Sequence, residues 1–339
     1  MKLCITGGGT GGHLMIARAL AEAAASEGHE VIFIGSTSGQ DQKYFAKNSV
    51  FTKVYFLETT GVVNQKGLGK LKALYKVFLA FLRSRKILKE HNIEATYSVG
   101  GFSAAPAAFA TLSKKLPLFI HEQNAVEGRL NALLKPYATR FISAYDANST
   151  IEGYPVEKVF FKNSRVRKDL EYIIFLGGSQ GARSINDLAL SMYESLHKRG
   201  IKVIHQAGER DFDRVQKEYE KLGAEVELYG FTDDLASLIS KADLAVSRSG
   251  ASTLWELCAN GLPAFFVPYP YAAGDHQFYN AKFIVDENLG WCARESEDLK
   301  EKLLLVLDEN LKEKSEALLK YAKKDVALKM IQDVEDTIQ

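Results

Sequence analysis

The chain alternates short apolar runs with amphipathic segments, and glycine-rich turns join the two. The run KLCIT leads through GGGTGGH into apolar positions at helical spacing, and the apolar run VIFIG follows. The same order of strand, turn and helix returns at ATYSVGG, EYIIFLGG and ADLAVSRSG. This order predicts α/β folding with parallel sheets, in which ligands bind outside the carboxyl ends of the strands.

The length of 339 residues predicts two domains, with a cleft between them as the expected place for function. Residues 1–163 carry 20 Lys and Arg against 12 Asp and Glu, whereas the remainder carries 23 against 30. We therefore place the first domain at 1–163 and the second at 164–320. A C-terminal helix at about 321–339 is a candidate to pack back on the first domain.

Composition narrows the class of protein. A hydrophobic content of 46% and a charged content of 25% are typical of a soluble globular protein. The three cysteines lie far apart and form no CxxC, which disfavours a disulfide framework and a zinc site. No apolar run approaches the roughly 18 to 20 residues of a spanning helix, and glycine interrupts the N-terminus before a signal peptide could form. We expect a cytosolic protein that spans no membrane.

Residues 66–90 predict a basic amphipathic helix, since they carry eight Lys or Arg and one acid, Glu90. Such a helix with aromatic residues is suited to anionic lipid headgroups. A solvated helix with an ordinary buried face is the alternative, and nucleic acid is disfavoured because no recognition motif accompanies the charge. The predicted membrane contacts are Lys70, Lys72, Leu74, Tyr75, Lys76, Phe78, Leu79, Phe81 and Leu82.

The first glycine turn satisfies GxGxxG, so a dinucleotide site must be considered. The second strand, however, ends without the Asp or Glu that binds a ribose hydroxyl or an Arg for a 2′-phosphate. The extra glycines favour a bare backbone that a bulky substrate approaches, or else close packing of helix on strand. His13 adjoins this turn, and a neutral imidazole there is a candidate general base.

Polar residues also end the apolar run LPLFI. His121, Glu122, Gln123 and Asn124 follow one another at the predicted carboxyl end of this strand. A cluster of four polar groups in this position favours a functional site over surface decoration.

The segment 242–281 predicts the chemistry most sharply. Arg248 and Ser249 begin a turn that leads into a helix, whose free N–H groups and Ser252 hydroxyl suit a diphosphate. Glu256, about one helical turn further, suits a pair of ribose hydroxyls. Arg248 could neutralise phosphate charge or brace the loop.

Two further turns open helices in the same half. The glycine-rich turn at 177–181 is a second anion-friendly site. His276 and Gln277 begin another helix, where they could address the hydroxyls of a sugar attached to the diphosphate. The combined pattern indicates a nucleotide diphosphate sugar.

The motifs GGGTGGH, HEQN, GGSQGAR, FTDD, SRSGASTLWE and DHQFYNA carry a family resemblance. In this order and spacing, the chain resembles the peripheral membrane N-acetylglucosaminyltransferases of peptidoglycan synthesis. The resemblance covers about residues 5–290. It implies the GT-B fold, with two Rossmann-like domains facing across a cleft, the acceptor on the N-terminal side and the UDP-sugar on the C-terminal side.

At matching positions the resemblance implies uracil against Phe231 and the backbone of Thr232, and ribose on Glu256. Arg167 is the match for a family arginine, with Arg165 as competitor. The diphosphate is expected near Ser179 and the helix start, the sugar near the second helix start, and the remaining contacts in the first domain. These further expected contacts with UDP-N-acetylglucosamine are Thr10, Gly11, Gly12, Asn124, Ser179, Arg248, Ala251, Ser252, Thr253, Leu254, Trp255, His276, Gln277 and Asn280.

The resemblance implies inverting transfer to the 4-hydroxyl of undecaprenyl-pyrophosphoryl N-acetylmuramoyl-pentapeptide at the cytoplasmic face of the cell membrane. Helix N-termini and Arg would stabilise departing UDP, so no cofactor and no metal is expected. His13 is the expected base and Glu122 the alternative. Other cell wall enzymes are candidate partners, and nucleic acid is not. The alternative functions are those of another UDP-sugar transferase, a UDP-N-acetylglucosamine 2-epimerase, a ligand-binding protein and an NAD oxidoreductase.

Overall fold

The computed structural model describes residues 1–45, 50–61, 66–178 and 181–339. Over these residues the chain divides into two compact units. The first comprises Met1–Val156 with Asp325–Gln339, and the second comprises Glu157–Lys324.

The first unit is built on a parallel sheet whose strands alternate with helices along the chain. Its described strands are β1 (Lys2–Thr6), β2 (Glu30–Ser36), β3 (Lys53–Leu57), β4 (Ala95–Ser98), β5 (Leu118–Glu122) and β6 (Arg140–Ser143). They lie in the order β3-β2-β1-β4-β5-β6, the order of a doubly wound Rossmann sheet. The strand order therefore switches between β1 and β4, since β2 and β3 lie on one side of β1 and β4 to β6 lie on the other. Ligands bind at such a switch point in folds of this kind.

The helices of the first unit cover this sheet with their apolar faces. They are α1 (Gly11–Ser26), α2 (Asp41–Phe45), α3 (Leu68–Glu90), α4 (Ala105–Ser113) and α5 (Arg129–Leu134). Central strand residues such as Leu3, Ile5 and Phe33 are fully buried. These strands are continuous apolar runs because both faces of a parallel sheet are covered.

The second unit repeats the same topology. Its strands are β7 (Tyr172–Leu176), β8 (Lys202–Gln206), β9 (Val226–Tyr229), β10 (Leu244–Ser247), β11 (Ala264–Phe266) and β12 (Trp291–Cys292). All neighbours pair in parallel, in the order β9-β8-β7-β10-β11-β12, so the switch point lies between β7 and β10. The predicted pair of parallel, Rossmann-like α/β sheets is thereby confirmed.

Helices of the second unit follow its strands in the same way. They are α6 (Lys158–Lys162), α7 (Arg183–Lys198), α8 (Phe212–Lys221), α9 (Leu235–Lys241), α10 (Ala251–Asn260), α11 (His276–Asp286), α12 (Leu299–Val306) and α13 (Leu311–Tyr321). Helix α6 packs on α9 and α10, and Asn260 donates its side-chain amide to the carbonyl of Phe160 at 2.9 Å. These contacts place the start of the second unit at Glu157, a few residues before the expected position of 164.

The last helix, α14 (Val326–Ile338), belongs to the first unit. It packs along α1, with Val334 fully buried. Glu335 pairs with His29 at 2.8 Å, and Asp333 pairs with Arg140 at 3.6 Å. The N- and C-terminal parts of the chain thus form one packed unit.

Helix α3 buries a narrow face of small and aliphatic residues against α4 and the core, including Ala73, Ala80 and Ile87. The opposite face leaves large apolar side chains in solvent: Leu71, Leu74, Tyr75, Phe78, Leu79 and Leu82 are each 45% exposed or more. Phe81 is half-buried against the core. No helix among the described residues is long and apolar enough to cross a membrane.

Candidate active site

Two glycine loops meet at the switch point of the first unit. Gly8 donates its backbone N–H to the carbonyl of Gly100 at 3.1 Å. Gly9 has φ +85°, and a β-carbon there would lie 2.5 Å from the ring of Phe102. Gly101 has φ +80°, and a β-carbon there would collide with the carbonyl oxygen of Gly8. Close packing of the two loops therefore requires glycine at these positions.

The buried carboxylate of Asp41 holds the first glycine loop in place. Asp41 accepts hydrogen bonds from the backbone N–H of Gly9 at 2.5 Å and of Ser36 at 2.8 Å. Its side chain is fully buried. Asp41 thus ties the end of β2 to the turn that follows β1.

Helix α1 begins directly after this turn and presents the next residues at its first turn. Thr10 is the exposed N-cap residue, and Gly11, Gly12 and His13 are half-exposed. The hydroxyl of Thr10 lies 2.8 Å from Nδ1 of His13. The predicted site residues from Thr10 to His13 therefore lie together at the N-terminal end of α1.

The His13 ring also meets the polar cluster at the end of β5, where Nε2 of Gln123 lies 3.3 Å from Nδ1 of His13. Nε2 of Gln123 lies 2.9 Å from Nε2 of His13. His121 is fully buried, and burial lowers its pKa to about 3, with the nearby His13 as a second cause. His121 is therefore neutral at physiological pH, and its ring packs edge-on against Tyr154.

Glu122 organises the loop after β5. Its Oε1 accepts from the N–H of Asn124 at 3.0 Å, and its Oε2 accepts from the N–H of Gly128 at 2.8 Å. The side-chain amide of Asn131 also donates to Oε2, at 2.9 Å. With these three donors and an exposure of 3%, the carboxylate is engaged in holding the loop. This arrangement does not suit the alternative role of general base.

Asn124 lines a polar pocket of about 230 Å³ in the first unit. The pocket lies where β5 and β6 end, and Glu127, Ser143 and Tyr145 also border it. Asn124 thus borders this pocket and directly follows Gln123, whose amide contacts His13.

The switch point of the second unit is held by buried polar contacts. Ser247 pairs with Leu176 across β10 and β7, so the turns after these two strands are neighbours. The hydroxyl of Ser249 donates to the carbonyl of Gln277 at 2.7 Å, and Asn280 donates its amide to the carbonyl of Ser249 at 3.1 Å. Helix α11 is thereby fixed against the turn that starts α10.

Helix α10 begins where this turn ends, and its N-terminus lies at the carboxyl edge of the sheet. Gly250 is the N-cap without a side-chain cap, and Ser252 and Thr253 are half-exposed. Backbone N–H groups at a helix N-terminus attract anions through the helix dipole. This first turn, from Ala251 to Thr253, is therefore suited to a diphosphate.

Glu256 follows one turn further along α10. Its side chain is buried, and this burial, with Glu157 as a second cause, raises its pKa to about 8. A carboxyl group in this state donates as well as accepts hydrogen bonds. Ribose hydroxyls would supply partners of both kinds.

His276 and Gln277 open α11 as predicted. Nδ1 of His276 lies 2.9 Å from the carbonyl of Ala273, which requires a proton on Nδ1 and leaves Nε2 as the other polar atom. Oε1 of Gln277 accepts from the N–H of Tyr269 at 2.9 Å, so its amide nitrogen is the group left for a ligand. Both side chains are half-exposed.

The FTDD segment places Phe231 51% exposed, with Thr232 half-exposed beside it. Asp234 caps α9 by accepting from the N–H of Ser237 at 3.3 Å. An exposed ring after β9 offers a face for a flat aromatic base.

Two family models match the chain. Residues 3–143 match the glycosyltransferase family 28 N-terminal domain, and residues 172–338 match the glycosyltransferase family 28 C-terminal domain. The chain belongs to glycosyltransferase family 28. The two matches fall on the two Rossmann-like units, and the GT-B fold expected from the resemblance is confirmed.

Similar proteins of this family cover nearly the whole chain. A protein of Sulfurimonas denitrificans named UDP-N-acetylglucosamine–N-acetylmuramyl-(pentapeptide) pyrophosphoryl-undecaprenol N-acetylglucosamine transferase is 68% identical over 98% of both chains. A Sulfurovum protein of the same name is 53% identical over 96% of both. The crystal structure of Acinetobacter baumannii MurG matches with a TM-score of 0.80 and 26% identity, covering 99% of each chain.

The structure corrects the expectation for the arginine of this family 28 chain. Arg167 is fully buried, and its five N–H groups donate to the carbonyls of Ala242, Arg165, Ile239 and Asn260 and to the side chain of Asn260. No donor is left for a phosphate. Arg165 in turn binds Asp243 at 2.7 Å and carbonyls at the end of α9. Both lie where the strands begin, so neither contacts the carboxyl edge of this sheet.

Arg248 braces its loop, the second of the two roles considered for it. It donates to the carbonyls of Val267 and Pro268, at 3.0 and 3.2 Å, and pairs with Glu295 at 2.5 Å. The same guanidinium bonds Ser184 at the start of α7 at 3.1 Å. Arg248 thus joins the elements that follow β7, β10 and β11.

Three predicted contact residues have buried side chains. Leu254 and Trp255 lie in the core, where Trp255 packs on Phe283 and Tyr321. Asn280 is buried, and its amide donates to the carbonyl of Ser249, so it supports the loop. Ser179 lies outside the described residues.

Three residues that the sequence does not mark as functional also lie at these sites. Asp41 holds the turn before His13, Asn131 binds Glu122, and Glu295 pairs with Arg248. No local pattern marks Asp41 or Glu295, since each is distant in sequence from the loop it fixes.

Proposed function

We propose that this chain transfers N-acetylglucosamine from UDP-N-acetylglucosamine to the 4-hydroxyl of undecaprenyl-pyrophosphoryl N-acetylmuramoyl-pentapeptide. The observation that carries the proposal is the 68% identity, over 98% of both chains, to the transferase of that name. The site geometry supports it, because both Rossmann-like units place their motifs at the switch points of their sheets.

The donor binds the second unit in this proposal. The diphosphate lies on the first turn of α10, and Glu256 takes the ribose hydroxyls. The exposed ring of Phe231 contacts uracil, and the amide nitrogen of Gln277 donates to the sugar. Arg248 supports this site by fixing its loop rather than by binding phosphate.

The chemistry is a single displacement with inversion. The acceptor oxygen forms a bond to the anomeric carbon as the bond from that carbon to the UDP oxygen breaks. The hydroxyl proton passes to His13, whose imidazole is half-exposed at the start of α1. Negative charge on departing UDP is stabilised by the N-terminus of α10, so the reaction needs no metal and no cofactor.

The chain associates with the cytoplasmic face of the membrane through α3. Its solvent face combines large apolar side chains with Lys70 and Lys72, both exposed. Lys76 is paired with Glu58, which reduces its contribution.

The decisive experiment follows radiolabelled sugar from UDP-N-acetylglucosamine into a short-chain analogue of the muramoyl-pentapeptide lipid, in the presence of EDTA. We expect transfer to this acceptor, none to diacylglycerol, and no epimerised sugar nucleotide when the acceptor is omitted. The variant Glu256→Gln should transfer poorly and bind UDP weakly. Transfer to diacylglycerol alone, or epimerisation, would replace the proposal by one of its rivals.

A further inference from the structure

The orientation of the Gln277 side-chain amide at the start of α11 is set by one hydrogen bond. Its Oε1 accepts from the backbone N–H of Tyr269 at 2.9 Å. Because an N–H group only donates, the oxygen must face Tyr269, and the nitrogen occupies the other branch of the amide. The main chain of Gln277 is held as well, since its carbonyl accepts from the hydroxyl of Ser249 at 2.7 Å. The direction of this amide therefore depends on where Tyr269 places its N–H group.

Arg248 holds the segment that carries Tyr269. Its Nη1 donates to the carbonyls of Val267 and Pro268, at 3.0 and 3.2 Å, and these two residues directly precede Tyr269. The guanidinium carbon also lies 5.4 Å from the centre of the Tyr269 ring, within the range of a cation–π contact. Arg248 thus contacts both the main chain before Tyr269 and the side chain of Tyr269 itself.

Glu295 in turn holds the guanidinium of Arg248. Its Oε1 lies 2.5 Å from Nη2 of Arg248 and accepts from the hydroxyl of Ser184 at 2.6 Å. Nη2 of Arg248 also donates to Ser184 at 3.1 Å, so the three groups form a closed network. The side chains of Arg248 and Glu295 are only 18% and 28% exposed. Solvent and salt screen such a pair less than a surface pair, so loss of the carboxylate should release the guanidinium from this position.

We propose that Glu295 is a positioning residue for the donor sugar, which acts through Arg248 and Tyr269 on the side-chain amide of Gln277. This inference rests on the proposed function, in which that amide donates to the sugar of UDP-N-acetylglucosamine, and deepens it. Glu295 itself does not bind the ligand in this arrangement, because a carboxylate repels a diphosphate and its Oε1 already has two donors. The preference for the sugar nucleotide over UDP therefore depends on a residue that follows β12.

The first test compares two ligands by titration calorimetry on the full-length protein. The measured quantity is the affinity ratio, the association constant for UDP-N-acetylglucosamine divided by that for UDP. Glu295→Ala should lower this ratio about 3-fold to 10-fold, the value of one neutral hydrogen bond. UDP itself should bind no more weakly, because no proposed contact with UDP involves Glu295.

A matched control removes the same charge from the same unit. Glu301→Ala, at an exposed position of α12, should leave both association constants unchanged. Glu295→Gln keeps the size of the side chain and an oxygen for Ser184 and Arg248, so it should lower the affinity ratio less than Glu295→Ala. The glutamine variant also provides the measurement if the alanine variant does not fold. An affinity ratio equal to that of the wild type in both variants, or a parallel loss of both affinities in Glu295→Gln, would overturn the inference.

The second test asks whether Glu295 acts through Gln277. Gln277→Ala should lower the affinity ratio, because the group that donates to the sugar is gone. Adding Glu295→Ala to Gln277→Ala should then cause no further decrease, since the effects of residues that act through one contact are not additive. A role of Glu295 in general stability alone would not produce this pattern. Decreases that multiply in the double variant would contradict the inference.

Both titrations are made without acceptor, so they separate this inference from the proposed function. A lowered affinity ratio in Glu295→Ala, together with no transfer to the muramoyl lipid by the wild type, would support the role of Glu295 and refute the proposed acceptor. Transfer as proposed, with an unchanged affinity ratio in Glu295→Ala, would do the reverse.

Discussion

Asn131 donates its side-chain amide to Oε2 of Glu122 at 2.9 Å. The same carboxylate accepts from the backbone N–H groups of Asn124 and Gly128, so it joins the end of β5 to the start of α5. Charge-assisted hydrogen bonds of this kind are among the stronger ones in proteins. The contacts of Glu122 thus assign it to the support of the loop and favour His13 for the proposed role of base.

Glu122→Gln tests this division of roles. The substitution places an amide nitrogen against a backbone or side-chain donor, and we expect it to lower the free energy of unfolding by about 1 to 3 kcal/mol. Turnover should fall, yet the pH dependence of the residual activity should keep its shape. Urea unfolding and kcat measured against pH check both statements. Unchanged stability with a lost acid limb would return Glu122 to the role of base.

His13→Ala removes the proposed base itself. We expect kcat to fall about 10² to 10⁴-fold, because the acceptor hydroxyl then loses its proton without assistance. Affinity for UDP should stay within about 2-fold, since the proposed UDP contacts are all in the second unit. Titration calorimetry and the radiolabel assay measure the two quantities. His197→Ala, a change at an exposed histidine of α7, is the control. Unimpaired turnover would remove His13 from the reaction.

Arg167→Lys tests whether this arginine supports the fold rather than the ligand. Lysine replaces a fork of five donors by three, so several buried carbonyls lose their partner. We expect a loss of at least about 2 kcal/mol in the free energy of unfolding. UDP affinity of the folded protein should change little. Arg165→Lys, at an exposed neighbour, should cost less. A large loss of UDP affinity without a loss of stability would restore Arg167 to the donor site.

The raised pKa of Glu256 predicts a pH-dependent stability. Its folded pKa of about 8 lies above the ordinary value of 4.5, mainly because of burial. Between these two values the folded chain keeps a proton that the unfolded chain has released. The free energy of unfolding therefore decreases as the pH rises from about 4.5 to about 8. Glu256→Gln should make the melting temperature of the unliganded protein less dependent on pH across this window. Thermal unfolding in a buffer series measures it, and parallel curves for both proteins would contradict the burial of Glu256.

Much of the fold follows from local sequence signals. Apolar runs such as KLCIT and YIIFL, each followed by glycine and an amphipathic helix, predict parallel strands joined by helices. Since carboxyl ends of parallel strands share an edge, the positions of His13 and Ser252 at helix starts could also be predicted. The capping role of Asp234 follows from its position directly before α9.

The orientation of individual side chains could not be predicted in this way. Arg167 is expected at the sugar nucleotide, and phosphate is one of two roles considered for Arg248, but each binds main-chain carbonyls of other segments of the chain. Trp255 stands one residue before Glu256, yet it points into the core because adjacent helical positions face different directions. Tertiary packing decides these cases, and no local pattern encodes it.

The solvent face of α3 gives the last prediction. Six large apolar side chains of this helix are exposed, and Tyr75 is exposed to 62%. Their burial in the headgroup region of a bilayer would gain free energy at about 25 cal/mol per Å², and nearby lysines would add about 1 kcal/mol each on anionic lipid. Both terms act at the same surface, so removing either should weaken binding.

Two variants separate these terms in a vesicle sedimentation assay. Lys70→Glu, Lys72→Glu and Lys76→Glu together should abolish binding to anionic vesicles at low salt, whereas Leu74→Ser with Phe78→Ser should weaken binding at every salt concentration. The control carries the same charge change on the second unit, at the exposed positions Lys300, Lys320 and Lys324. Because the described residues around these lysines include no group of exposed large apolar side chains like that of α3, the control should still bind. If the control dissociates as fully as the α3 variant, net charge alone governs association, and α3 is not the surface that contacts the membrane.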